Sequence, residues 1–555
     1  MTTTVYVTKQ IITMNPQQPT ATHVAVRDGR ILAVGDSNLM QQWGDFEIDQ
    51  RFADMILMPG LIEGHCHLKE GSMWQWPYLG WFDRKDTSGK TWPGLRSMDA
   101  VVERLREVEA TMQASNPGDA TPIFAWGFDP IYFGGERMTT EHLNRVSNAR
   151  AVVVGHANGH LMNVNSVALR EANIDRHCEI EGVMRFENGE PNGELQEPAA
   201  MFPIMRLLGN VGLLAPLDEQ TLRGFGRIAC MQGVTTATDL VNKLSPQDLS
   251  VLESITGELD YPVRIAPAFQ AFHGPLGAKE GAAHVKALIP KSTDRLRFGL
   301  VKMMMDGSIQ GYSARLKWPG YVNGEPNGIW VTAPDQYERD FEVYHAAGLQ
   351  IHTHTNGDEA SEVAISAIQR VLSRVPRRDH RHTLQHGQMI GHAQFRRMAS
   401  LGLCANLFAN HLWYWGDQHV EMTMGLDRAA RLDACRSALD AGVPLSIHSD
   451  APVTPLGPLH VAWCAVNRVT PKGRILGAAE CLSVPEALHA ITLGAAYTLH
   501  LDGEVGSIEV GKRADFCVLR ANPLTESPER LKDIEIWGTV LSGKVFSATP
   551  EEETA

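Results

Sequence analysis

In LMPGLIEGHCHL, from Leu57 to Leu68, an apolar run ends in His65, Cys66 and His67. Side chains two apart on a strand leave the same face, so both imidazoles can reach one metal ion while Cys66 points away. In isolation such a pair is more often two unrelated polar residues. Here later apolar runs carry ligand-type residues in the same relation to the strand: His354 ends the fifth, His386 the sixth, and Asp450 the eighth, in IHSDAP. Imidazole nitrogen and carboxylate oxygen suit zinc and similar divalent ions. Lys302 lies inside LVKMMM, where an unpaired lysine is costly to bury. Each alone has a bland reading, since His352, His382 and His448 show that strand histidines are common in this chain. Together they would surround one point.

The elements that must position them read as strands alternating with helices. After the opening run come GVTTATDL (233–240), PVRIAPAFQ (262–270), RFGLVKMMMDG (297–307), LQIHTHTNGD (349–358), HTLQHGQ (382–388), LGLCANLF (401–408) and VPLSIHSD (443–450). Eight apolar strands with helical crossovers favour a (β/α)₈ TIM-like barrel, an α/β fold whose chemistry sits at the carboxyl ends of its strands. One connection is too long: about 160 residues separate the first strand from Gly233, well beyond an ordinary βα loop. We therefore expect an inserted subdomain over 70–218, rich in aromatics, covering the mouth of a barrel formed by 55–69 and 219–502. Short alternating strands with turn signals at both ends, such as the Asp28-Gly29 hairpin, predict a composite β-sandwich domain from 1–54 and 503–548.

Composition narrows the partners. The chain has 555 residues, 43% of them hydrophobic, and a formal net charge of -14. That charge gives no basic face for nucleic acid. No segment is apolar for the roughly 18 residues of a membrane span, and the N-terminus lacks a secretion signal, so the expectation is a cytoplasmic protein. Eight scattered cysteines without a CxxC pair read as reduced, mostly buried thiols.

PGLIEGHCHL, GHANGHLMNVNSVAL, NGELQEPA, GVTTATD, VKMMMDGSIQGYSARL, HTHTNGDEA, HTLQHGQMI, HSDAPVTPLGPL and GSIEVGKRADFCVL together resemble the amidohydrolase superfamily. The likeness is closest to its family 3 branch, which includes N-substituted formamide deformylase. It implies that His65, His67 and Asp450 hold the more buried metal, that Lys302 is N6-carboxylated and bridges two metals, and that His354 and His386 hold the second. His352 is the rival to His354. Zinc is the first expectation for the ion, one or two per chain, though manganese, iron or cobalt suit the same ligands. The sequence departs from the branch in Gln385-His386-Gly387, where EHA is usual, and at Gln310 and Tyr312, where small residues are.

The resemblance further implies a hydrolase acting on a carbon-nitrogen bond of a small molecule, with Asp450 as general base, and a possible homodimer. The alternatives are a deaminase or cyclic-amide hydrolase using the same cage, or a non-catalytic regulatory barrel. For substrate contacts, Trp413 and Trp415, with Trp74 or Trp76, could wall an apolar pocket suited to an aromatic or bulky alkyl group. Arg315 could meet a carboxylate, and His160 and Asn158 fall in a stretch that resembles one near the family's active site.

Overall fold

The computed structural model describes residues 2–38, 45–209, 216–272, 274 and 276–549. The expected terminal domain and insertion thus each include a stretch outside the described residues, 39–44 and 210–215. The centre is a parallel sheet of eight strands in sequence order: β1 (Leu61–Glu63), β2 (Val234–Asn242), β3 (Arg264–Gln270), β4 (Leu300–Met304), β5 (Gln350–Thr355), β6 (Thr383–His386), β7 (Cys404–Leu407) and β8 (Leu445–Ile447). Seven of the eight fall inside the runs read from the sequence, and β2 overruns its run, 233–240, to end at Asn242. The sheet curls until its edges approach, and just beyond β1 and β8 the Asp450 amide donates to the His65 carbonyl at 3.1 Å and the His67 amide to that of Ala451 at 2.7 Å. Helices such as Asp358–Arg374 return the chain between strands and bury apolar faces against the sheet.

The opening apolar run divides between two sheets. Ile56–Pro59 pairs with Gln10 and Ile11 on one side and with Phe516–Leu519 on the other, inside an eight-stranded sheet made from both ends of the chain. Only Leu61–Glu63 belongs to the parallel sheet. Gly60 is the pivot, because a Cβ there would lie 2.0 Å from Thr235 Oγ1 on β2. The terminal segments thus form one hydrogen-bonded sheet, and residues from both ends of the chain, among them Val24, Leu57, Phe516 and Trp537, share one apolar core. Its hairpin Thr20–Arg27 to Arg30–Gly35 turns on Asp28 and Gly29, with φ of 54° and 73°, the pairing a tight two-residue turn requires. Between β1 and β2 lies a five-stranded sheet (Ile123–Phe128, Val152–His156, Leu161–Val164, Val183–Arg185, Pro191–Gln196) with its own apolar cores. No helix among the described residues is long and apolar enough to cross a membrane.

At the amino-terminal end of β5 and β6 sits a chain of buried neutral imidazoles. His382 Nδ1 accepts from the Ile351 amide at 3.0 Å, so its Nε2 donates to His345 Nδ1 at 2.8 Å, and His345 Nε2 donates to the Val375 carbonyl at 2.8 Å. His380 Nε2 donates to the Leu401 carbonyl while its Nδ1 accepts from the His382 amide. Burial, reinforced by other imidazoles and the Arg377 guanidinium, pushes His380 down to about 4 and His382 well below the ordinary value. The unfolded chain therefore binds more protons here than the folded one, and the stability this cluster contributes is present above pH 6.5 and declines as the pH falls through that value. We expect the urea midpoint to drop between pH 7.5 and pH 5, and the drop to be smaller in His380→Gln. An equal slope in that variant would place the acid sensitivity elsewhere.

Candidate metal centre

β1 ends at Glu63, so His65 and His67 stand in the bend that follows rather than on the strand. The alternation survives there, since the Cys66 thiol turns back to the Thr238 carbonyl on β2 at 2.8 Å. Glu63 joins the two ends of the sheet by accepting from the His65 amide at 3.3 Å and from the amide and hydroxyl of Ser449 at 3.1 and 2.7 Å. Asp450 follows directly, with φ of 54°, a left-handed conformation that Asp tolerates better than most residues.

Asp450 Oδ1 lies 3.2 Å from His65 Nε2 and 3.2 Å from His67 Nε2, and Oδ2 lies 3.8 Å from His386 Nδ1. Asp450 Oδ1 and His386 Nδ1 are both buried, and among the described residues neither has a hydrogen-bond partner. Uncompensated polar atoms of this kind are rare in a folded interior, and here they are lone-pair donors belonging to one cluster, which fits a divalent cation. Among the described residues, two trios bring ligand atoms within 4.8 Å of one another: His65, His67 and Asp450, and His65, His386 and His448. His354 adjoins them, its ring 4.4 Å from that of His386, with Nε2 3.3 Å from the Gly307 carbonyl. Lys302 is 2% exposed, its Nζ 3.4 Å from His65 Nε2, and burial pushes its ammonium down to about 7.

Gln385 orients this cluster. Its Oε1 can only accept, so the 2.8 Å contact with His65 Nδ1 fixes the proton on that nitrogen and leaves the Nε2 lone pair for a ligand. Asn406 donates to the same oxygen at 2.9 Å, while the Gln385 amide donates to His352 Nδ1. His352, the rival ligand, has its Nδ1 taken by Gln385 and does not line the cavity, although among the described residues its Nε2 has no partner. We expect Gln385→Leu to lower metal affinity about tenfold to a hundredfold, the usual cost of losing a partner that orients a ligating histidine. Competition with a chromophoric chelator checks this, and unchanged affinity would remove Gln385 from the site.

Above the cage opens a cavity of about 180 Å³ lined by His65, His67, Lys302, His354, His386 and Asp450 at one end. The insertion supplies the opposite wall, with Phe124, Trp126, Met162, Met201, Phe202 and Met205. His160 and Asn158 also line it. The His160 Nδ1 is 3.0 Å from Glu197; burial works against its charge, but the carboxylate overrides this and raises its pKa. Asn158 accepts from the His160 amide at 2.9 Å and donates to Ser308 at 3.1 Å, pinning the insertion to the loop after β4.

Three expected substrate contacts lie elsewhere. Trp413 packs on Trp463, and Trp415 is buried with Nε1 donating to Asp129 at 2.8 Å. Arg315 is held by Glu359 at 3.1 Å and by the Gly328 carbonyl at 2.8 Å. Trp74 packs among Tyr78, Trp92 and Trp126, and neither it nor Trp76 reaches the cavity lining. Gln310 and Tyr312 also stand outside that lining, so their departure from the family pattern leaves its contour untouched. Sequence reading missed Gln385 as an orienting residue, Glu63 as the link and Glu197 behind His160; each is a buried polar residue whose partner is distant in the chain.

A parallel sheet that brings histidines, an aspartate and a lysine to one cavity offers the donors of a divalent-metal site. The amidohydrolase family model matches residues 53–546, and the chain belongs to that family. It is thus a hydrolase acting on carbon-nitrogen bonds. Protein LONG AFTER FAR-RED 3 of Arabidopsis thaliana is 28% identical, covering 96% of this chain and 90% of its own. N-substituted formamide deformylase of Arthrobacter pascens is 24% identical, covering 96% of each. An uncharacterized metal-dependent hydrolase from Pyrococcus horikoshii OT3 shares the fold, with a TM-score of 0.69 at 19% identity over 95% of this chain and 99% of its own.

Proposed function

We propose that this protein hydrolyses an amide or related N-acyl bond of a small substrate carrying an aromatic or bulky apolar group, using zinc. The observation that carries this reading is the cavity itself, with the unpaired Asp450 carboxylate and the histidines at one end and an apolar wall at the other. His65, His67 and Asp450 would hold one ion, and Lys302, as a carbamate, with His354 and His386 would hold a second. A bound divalent ion supplies a Lewis acid and lowers the pKa of its water to about 7.

The chain's own groups do the rest. Asp450 accepts the proton of the attacking water and returns it to the nitrogen of the breaking C–N bond, so that the carboxylate is regenerated as the amine leaves. His160, held by Glu197, donates a hydrogen bond to the substrate's carbonyl oxygen. The apolar wall seats the non-reacting group and keeps water from its side of the cavity. Similarity to the formamide deformylase supports an acyl group as small as formyl. The test is amine release from N-aryl and N-alkyl formamides, acetamides and N-acyl amino acids, with and without chelator pretreatment. Chelator-sensitive turnover of one series is expected; no turnover by metal-replete protein would shift the reading to cyclic amides and deaminase substrates.

A further inference from the structure

We propose that Arg84, in the insertion, is a positioning residue for Asp450, its guanidinium tying the segment after His67 to the turn that carries the aspartate. Arg84 lies on a two-residue strand, Arg84–Lys85, and is buried. Its Nη2 donates to both oxygens of the buried Glu70, at 2.7 and 2.8 Å, and Glu70 stands three residues after His67. Nη1 donates to the Pro452 carbonyl at 2.7 Å, and Nη2 also to the Thr454 carbonyl at 3.3 Å. The guanidinium lies 5.0 Å from the centre of the Trp126 ring. Trp126 and Pro452 both line the cavity, so Arg84 also stands behind its wall.

The turn that Arg84 grips is the one that sets Asp450. The Val453 amide donates back to the Asp450 carbonyl at 2.7 Å. The Thr454 hydroxyl donates to the Ser449 carbonyl and accepts from Asn410 at 2.7 Å. Asp450 thus heads a closed turn whose carbonyls at Pro452 and Thr454 are held from the insertion. A buried ion pair is weak evidence for stability, since neutral groups of similar volume in place of both partners are often as good or better. What such a neutral pair would not supply is the two bonds to these carbonyls. They act two and four residues from Asp450, whose Oδ1 must keep its 3.2 Å spacing from His67 Nε2 if the two are to share an ion. The insertion therefore shapes the metal centre without giving it a ligand. The inference rests on Asp450 and His67 binding metal and is independent of the amide assignment.

The experiment compares the full-length wild type with a double variant, Arg84→Met together with Glu70→Gln, and with Arg84→Lys. Zinc affinity is read by competition with a chromophoric chelator, ligand geometry from the visible spectrum of the cobalt(II)-loaded protein, and the fold by circular dichroism. The double variant removes the guanidinium together with the charge it neutralises, so its thermal midpoint is expected close to that of the wild type. Its zinc affinity is nevertheless expected to fall about tenfold or more, with a changed cobalt spectrum, a readout that a merely structural ion pair would not move. Arg84→Lys keeps a charge for Glu70 but presents one ammonium in place of the planar fork. It is expected to show the same loss in smaller degree, and it carries the test if the double variant does not fold. Folded variants with wild-type affinity and cobalt spectrum overturn the assignment. A wild-type protein that takes up no metal overturns both this inference and the proposed hydrolysis, whereas failure of the amide panel alone leaves it standing.

Discussion

Asp450→Asn is expected to lower kcat by about a thousandfold while the protein, supplied with saturating metal, keeps its metal content, since a positioned general base contributes on the order of 10²–10⁴. The substitution is close to isosteric, and asparagine accepts the left-handed backbone that Asp450 adopts at φ 54°. The amide oxygen can still occupy the place 3.2 Å from the Nε2 atoms of His65 and His67. What is lost is a group that can take up a proton. Metal analysis alongside kcat separates the two roles: reduced metal with proportionate activity would make Asp450 a ligand only, and a kcat within tenfold of wild type at full metal would assign the base elsewhere.

The parts of this site that were legible in the sequence are those in which one strand states both its position and its chemistry. β4 is an apolar run that Lys302 interrupts, and β5 (QIHTHT) and β6 (TLQH), though mostly polar in themselves, carry His354 and His386 at or near their carboxyl ends. Asp450 is legible for the same reason beyond β8. The division of the first run between two sheets was not, because residues 56–62 are uniformly apolar or small and only the clash between a Gly60 Cβ and Thr235 reveals the pivot. Contacts that depend on where the insertion settles were misplaced. The aromatic cluster Trp413–Trp415 has the composition of a pocket wall, yet Trp415 is captured by Asp129 and the wall comes from residues between Phe124 and Met205. Gln385 stood out in the sequence only as a departure from the family's EHA pattern; its hydrogen bonds to His65 and His352 tie β6 to β5 and to the bend after β1 and have no local signature.

Lys302→Met should separate stability from function in opposite directions. The side chain leaves β4 with 2% exposure, its one hydrogen bond within the described residues goes to His65 Nε2 at 3.4 Å, and no carboxylate pairs with it there. Burying an ammonium without a counter-charge costs several kcal/mol, which is why burial pushes Lys302 down to about 7 and makes the neutral amine available near neutral pH, and why methionine, of similar length and fully apolar, is expected to raise the thermal midpoint of the metal-free protein. The same neutral amine can add to carbon dioxide, forming an N–C bond and releasing one proton, to give an anionic carbamate whose oxygens suit a divalent ion at the cavity floor. Methionine cannot do this, so metal uptake at the Lys302, His354 and His386 position is expected to be lost and turnover to fall by about a hundredfold or more, the scale of losing a group that orients the reacting centre. The carbamate itself is tested in the wild type by stripping the metal, removing carbon dioxide, and reloading metal with and without bicarbonate. Recovery that requires bicarbonate is expected; equal recovery in its absence would leave Lys302 as an uncharged amine beside His65 and restrict the metal to the histidine and aspartate ligands.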